Sequence, residues 1–259
     1  MAAGMQEQLL QYANVLKNNV QKQDPTTISI LIAILVVVLT IVFFIFKRKS
    51  NKRSGVLLLG TCESGKTLLY ARLVHRNYVE TYTSTASNDG NYQVPGKNKS
   101  LRIIDLPGHE RLRQTLLEQY KSLARAVIFL VDSSTLQKEI KDVADYLYTV
   151  LSDNVISHNA PPVLIACNKQ DLLMSKGAEI IRSQLEKEMN TLRVTRSASL
   201  KQIESSGNNN TFLGKRNKDF SFDDLKPLKI EFIECSIKGK DVSAKPDLKD
   251  LEEWLIRVA

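Results

Sequence analysis

Val56-Leu57-Leu58-Leu59-Gly60-Thr61-Cys62-Glu63-Ser64-Gly65-Lys66-Thr67-Leu68-Leu69-Tyr70-Ala71-Arg72-Leu73 is the stretch on which the reading of this chain turns. Its four leading apolar residues predict a buried strand, Gly60 to Thr67 matches G-x-x-x-x-G-K-[ST] without a mismatch, and Leu68 to Leu73 continue as a helix. Each residue type has a chemical reason. Glycines let backbone N–H groups wrap a phosphate, a lysine reaches the terminal phosphate oxygens, and the threonine hydroxyl is a ligand for Mg²⁺. The helix start favours a bound anion. The predicted phosphate-binding residues are therefore Gly60, Thr61, Cys62, Glu63, Ser64, Gly65, Lys66, Thr67 and Leu68, with the acidic side chain of Glu63 expected to face solvent.

Further motifs follow in order, each at the end of a strand-like run. Leu101-Arg102-Ile103-Ile104 leads into Asp105-Leu106-Pro107-Gly108. An aspartate there can hold Mg²⁺ through water, and Gly108 can offer its N–H to a γ-phosphate. Pro162 to Cys167 leads into Asn168-Lys169-Gln170-Asp171. A carboxylate at Asp171 matches the two N–H donors on the guanine edge, an arrangement adenine lacks, and buried polar groups left unmatched discriminate strongly. Ile230 to Glu234 leads into Cys235-Ser236-Ile237-Lys238, whose backbone N–H groups at Ser236 and Ile237 could reach the guanine O6. The predicted cofactors are GTP and Mg²⁺.

From Thr27 to Phe46 the chain runs 20 residues with no charge, glycine or proline. As a helix this covers roughly 30 Å, the thickness of a bilayer's hydrocarbon core. The run is too long and starts too late for a signal peptide, and it lacks the polar periodicity of a core helix. Lys47, Arg48, Lys49, Lys52 and Arg53 follow it, whereas Lys17 and Lys22 before it are balanced by Glu7 and Asp24. Positive charge stays on the cytoplasmic side, which places the N-terminus across the membrane and the rest in the cytosol. Removing those five cations lowers the net charge of the 259-residue chain from +8 to +3, so the remaining surface is mixed in sign and no basic stripe for nucleic acid is left. Three irregularly spaced cysteines fit a reducing compartment.

Strand-like runs at 56–60, 101–105, 126–132, 163–168 and 230–235, with a short one near Tyr92-Gln93-Val94, alternate with helix-like stretches near 67–76, 136–153, 176–192 and 247–257. Such alternation predicts an α/β fold with a mostly parallel six-stranded sheet. The expected organisation is a lumenal segment 1–26, a transmembrane helix 27–46, a basic linker 47–54 and a cytosolic domain 55–259 with a mobile surface insertion at about 194–219. Cys62, Cys167 and Cys235 read as small buried residues, and His75 and His158 have no partner at metal-ligand spacing. The sequons at Asn98 and Asn209 would stay bare in the cytosol.

On these motifs the chain resembles the Ras-like small GTPases near the Arf and Sar branch, and among them the signal recognition particle receptor β subunits. The resemblance rests on the span joined to the GTPase, Gly60 to Thr67, Asp105-Leu106-Pro107-Gly108-His109-Glu110, Ala124 to Ser133, Cys167 to Asp171 and Leu185 to Arg193. It implies a Ras-like P-loop domain preceded by one transmembrane helix at the endoplasmic reticulum, a receptor α subunit as partner, and no direct contact with nucleic acid. It further implies two switch segments, residues 81–90 and 108–114. In the first, Thr81, Tyr82, Thr83 and Ser84 fall at the nucleotide, and the metal set becomes Thr67, Asp105 and one switch hydroxyl among Thr83, Ser84 and Thr85, with Thr83 or Ser84 favoured. His109 stands where many Ras-like enzymes carry the glutamine that orients the attacking water, so slow hydrolysis is expected. Ile237 replaces a small residue, so only its backbone N–H carries over.

Overall fold

The computed structural model describes residues 25–50, 53–202, 212–239 and 245–259. The segment read as lumenal, part of the basic linker and the middle of the expected insertion lie outside them. The chain divides after Lys52 into two units. In the first, α1 (Pro25–Ser50) is one continuous 26-residue helix. Its described side chains, Ser29 and residues 32–43, are exposed. Among the described residues no helix is long and apolar enough to cross a membrane.

The second unit is a six-stranded sheet in the order β2-β3-β1-β4-β5-β6. Its strands are β1 (Gly55–Gly60), β2 (Asn88–Gln93), β3 (Ser100–Asp105), β4 (Ala124–Asp132), β5 (Val163–Asn168) and β6 (Ile230–Glu234). All neighbours run parallel except β2, which pairs antiparallel with β3. The apolar runs read as strands are strands because the sheet is covered on both faces. Along β4, Val127, Phe129 and Val131 enter one core while Ala126, Ile128 and Leu130 enter the other, as a period of two requires. The first core packs under α3 (Glu110–Tyr120), α4 (Leu136–Ser152), α5 (Asn154–Asn159) and α6 (Ala178–Gln202); the second packs under α2 (Lys66–Tyr70) and α7 (Lys249–Val258).

Four elements differ from the sequence reading. β2 begins at Asn88, because the polar Asn88-Asp89-Gly90-Asn91 is recruited by the ladder of β3 and by the Asp89–Arg102 ion pair, an edge context that overrides propensity. The helix after Lys66 gives way to a π turn at Ala71–His75. Short α5 is capped by Asp153, whose Oδ1 accepts from the N–H groups of Val155 and Ile156 at 2.9 and 3.1 Å. The expected insertion at 194–219 is corrected at both ends. Helix α6 runs on to Gln202, and Leu213 and Phe220 are buried in the first core, with the Arg193 guanidinium donating to the carbonyls of Lys215 and Lys218.

Phe129 is fully buried in the middle of β4 with its ring 5.5 Å from that of Tyr146. Phe129→Ala is expected to destabilise the domain by about 3–5 kcal/mol, and Phe129→Leu by under about 1.5 kcal/mol, as measured by urea unfolding.

Candidate functional site

The C-terminal ends of the parallel strands bring the predicted residues round one groove. Lys66 opens α2 and is only 6% exposed. Its Nζ donates to the Thr61 carbonyl at 2.5 Å and to Ser64 Oγ at 3.3 Å, both neutral partners. Burial holds this ammonium down at about 8, although the charges of Asp105 and Cys62 pull the other way. A desolvated cation with neutral partners calls for an anion, and it faces a cavity of about 320 Å³. Cys62, Glu63, Gly65, Thr67, Thr81, Tyr82, Thr83, Ser84, Pro107 and Gly108 complete its lining. The glycines are required there. A Cβ on Gly108 would sit 2.7 Å from Lys66 Nζ, and one on Gly65, whose φ is +97°, would sit 2.5 Å from Asn168 Nδ2.

Beside Lys66, Thr67 Oγ1 donates to Asp105 Oδ2 at 2.9 Å and lies 2.9 Å from Ser84 Oγ. Asn88 Nδ2 donates to the same Asp105 oxygen at 3.0 Å. Asp105 Oδ1 is buried and has no hydrogen-bond partner. Burial raises the Asp105 carboxyl above its usual range, against the hydrogen bonds of Asn88 and Thr67 and the charge of Lys66. Two hydroxyls and an orphaned carboxylate oxygen form a hard oxygen set of the kind that suits Mg²⁺. Among the described residues no group of three His, Cys, Asp or Glu side chains could hold a metal. Of the switch hydroxyls, Thr83 and Ser84 both line the cavity, and it is Ser84 that lies against Thr67.

A second cavity, of about 440 Å³, shares Glu63, Gly65 and Thr81 with the first, so the groove is continuous. Leu68, Asn168, Lys169 and Asp171 line it. Asn168 acts as a staple: its Nδ2 donates to the Ser64 carbonyl at 2.8 Å, and its Oδ1 accepts from the Ile237 N–H at 3.1 Å. That N–H, expected to face the base, is therefore already engaged. Lys169 adopts φ +68° and pairs with Asp132 Oδ2 at 2.5 Å. Burial alone would raise the Asp132 carboxyl, yet Lys169 and Ser134 carry it below its ordinary value. Asp171 Oδ1 accepts from Ser236 Oγ at 2.6 Å, and Ser236 Oγ accepts from the Gly239 N–H, which fixes the carboxylate.

His109 is not part of either lining. It is exposed and caps α3, its Nδ1 accepting from the Arg111 N–H at 3.4 Å. Gly60 and Thr61, which open the phosphate loop, are buried and line neither cavity, and the Thr61 hydroxyl has no partner. Cys167 and Cys235 are inert by burial, which pushes the Cys167 thiol up to about 12 and raises that of Cys235 as well. Sequence reasoning missed Tyr78, Val79, Glu80, Leu172, Lys238 and Gly239 in the second cavity, and Asn88 at Asp105. Lys238 ends a recognised motif and Gly239 directly follows it, so both could have been included; Tyr78 and Asn88 carried no local signal.

Residues 50–228 match the family described as the signal recognition particle (SRP) receptor beta subunit. The chain belongs to the SRP receptor β subunit family. The mouse (Mus musculus) SRP receptor subunit beta is 50% identical over 252 residues, covering 96% of this chain and 93% of the relative. A solved structure of the mammalian SRP receptor superposes with a TM-score of 0.69 at 49% identity, covering 79% of this chain and all of the other. An SRP receptor SRb-GDP-Mg structure from Chaetomium thermophilum gives a TM-score of 0.60 at 26% identity, covering 79% and 97%. The Ras-like GTPase fold is thus shared with these SRP receptor β subunits.

Because the Lys66 ammonium sits at about 8 against an ordinary 10.5, the unfolded chain binds more protons than the folded one between those values, and stability without a bound anion should rise with pH across that window. An anion in the cavity should reverse the shift. Calorimetry of GDP binding at about pH 8.5 in buffers of different ionisation enthalpy should show net proton uptake, approaching but below one proton per nucleotide, and Lys66→Met should abolish it.

Proposed function

We propose that this chain is a membrane-anchored guanine-nucleotide-binding subunit that holds the SRP receptor α subunit at the endoplasmic reticulum during co-translational targeting. The observation that carries the nucleotide reading is the continuity of one groove, with a desolvated cation at one end and a carboxylate fixed by Ser236 at the other. Lys66 and the loop from Gly60 to Thr67 hold the phosphates; Thr67 and Ser84 supply hydroxyls, and Asp105 its orphaned oxygen, to Mg²⁺. When bound, Mg²⁺ neutralises phosphate charge. Asp171 selects guanine, Asn168 ties the base loop to the phosphate loop, and Lys169 is held against Asp132.

Hydrolysis is slow in this reading. His109 is engaged as a helix cap and stands outside the cavity lining, so it does not position a water there without α3 moving. The same feature weighs against a rapidly cycling trafficking GTPase of the Arf or Sar kind. Partner binding depends on the triphosphate because Ser84 and Gly108 both line the phosphate cavity, which couples the two switch segments to what fills it.

For the anchor, the backbone of α1 is helical across the whole apolar run, and those 20 residues would extend roughly 30 Å. The cations after it and the balanced charge before it support a lumenal N-terminus and a cytosolic GTPase.

Asp171→Asn should lower GDP affinity by about 10²-fold or more and raise affinity for xanthosine diphosphate in compensation; unchanged GDP binding would remove the guanine assignment. In sealed microsomes, external protease should digest residues 53–259 and leave a short protected N-terminal fragment, whereas protection of the whole chain would reverse the topology.

A further inference from the structure

Six cations crowd the end of the sheet opposite the nucleotide groove. β1 enters the domain there at Gly55 and reaches the phosphate loop about 20 Å away, at Gly60. The contacts link the cations into one face. Arg53 donates to the carbonyl and side-chain oxygens of Asn159 at 3.0 and 2.5 Å, Arg125 to the carbonyls of Val258 and Ala259 at 2.9 and 2.8 Å, Lys99 to the Ala259 carbonyl at 2.9 Å, and Lys97 to that of Ile256 at 2.5 Å. Arg125, Lys229 and Arg257 line a cavity of about 480 Å³ at this end with a single carboxylate, Glu231, which pairs with Arg257 at 2.6 Å. Lys121 pairs with both Asp153 and Glu118, a cluster that carries one negative charge in excess and leaves the six cations, less Glu231, still in surplus. Arg53, Arg125, Lys97 and Lys99 donate to backbone or amide oxygens, so these bonds bring no negative charge to the face; a free carboxylate at Ala259 would offset one of them.

We propose that this face docks on an anionic lipid surface. The inference rests on the membrane-anchored reading. Only residues 47–52 separate the end of the apolar run at Phe46 from Arg53, the first cation of the face, and the seven steps between them reach at most about 25 Å. Arg53 therefore stays within about three Debye lengths of the headgroups, close enough for the domain to turn this face to them, where its positive charge attracts acidic lipids together with the linker cations. A partner of random charge has no reason to match it, whereas a negatively charged plane does. Docking in this orientation turns the nucleotide groove and its switch segments, at the opposite end of β1, away from the bilayer and toward a cytosolic partner.

The test uses the full chain reconstituted in phosphatidylcholine vesicles that carry a dansyl-headgroup lipid, with or without phosphatidylserine. Trp254, the sole tryptophan, lines the cavity of this face and serves as energy donor. Phosphatidylserine should raise energy transfer by about twofold, and the gain should vanish in about 0.5 M salt. Lys97→Glu/Lys229→Glu should lose the gain with an unchanged melting temperature and unchanged GDP binding; Lys97→Gln/Lys229→Gln should lose part of it. Equal transfer in neutral and anionic vesicles, with the chain resistant to carbonate extraction, overturns the docking face and leaves the anchor standing. If carbonate extracts the chain, the anchor fails instead. The face is then decided by sedimentation with the same vesicles: phosphatidylserine-dependent binding lost in the charge reversal upholds it, and no such dependence overturns it.

Discussion

A lysine ammonium buried against a carbonyl and a hydroxyl is the constraint around which this domain is organised. Burial opposes its charge, and neutral partners do not offset that cost. The cost is tolerable because the cation sits at the wall of a cavity where an anion can enter. The phosphate loop must wrap tightly enough to bury Lys66 yet leave that space, which is why Gly65 and Gly108 admit no side chain. Asp105, also desolvated and with one oxygen unsatisfied, is the complementary half. Together the two groups make the empty groove the less comfortable state and couple its filling to Thr67, Ser84 and Gly108.

The sheet supplies the precision. Parallel strands buried on both faces hold their C-terminal ends in fixed register, with Leu58 opposite Asp105 and Cys167 opposite Val131. Loops leaving those ends converge whatever their length. Asn168 then bolts two of them together by bonding the Ser64 carbonyl and the Ile237 N–H, so the base and phosphate sites do not drift independently.

Much of this was legible in the sequence, and for a physical reason. A phosphate site demands glycines, a lysine and a hydroxyl at fixed spacing, and a strand buried on both faces is a continuous apolar run; both demands leave marks that survive without neighbours. What escaped was decided by neighbours. Asn88 is part of an edge strand only because the β3 ladder sets it opposite Asp105 and the neighbouring Asp89 finds Arg102. Among the switch hydroxyls, spacing alone could not rank Ser84 over Thr83, since a loop's reach depends on how it folds back over α2. The polar segment at about 194–219 reads as a mobile insertion because its apolar residues are few and far apart in sequence, and the burial of Leu213 depends on neighbours such as Phe220 that meet it only in the folded core. His109 was recognised by position, yet its role as a helix cap follows from the turn that starts α3.

The central claim is that one groove reads both phosphate and base. It is tested most directly by equilibrium competition, in which a fluorescent GDP analogue bound to the wild-type protein with Mg²⁺ is displaced by GDP, ADP or pyrophosphate. The account predicts displacement by GDP at concentrations at least about 10²-fold below those needed for ADP, with pyrophosphate weaker than GDP. Equal potency of ADP and GDP would contradict it.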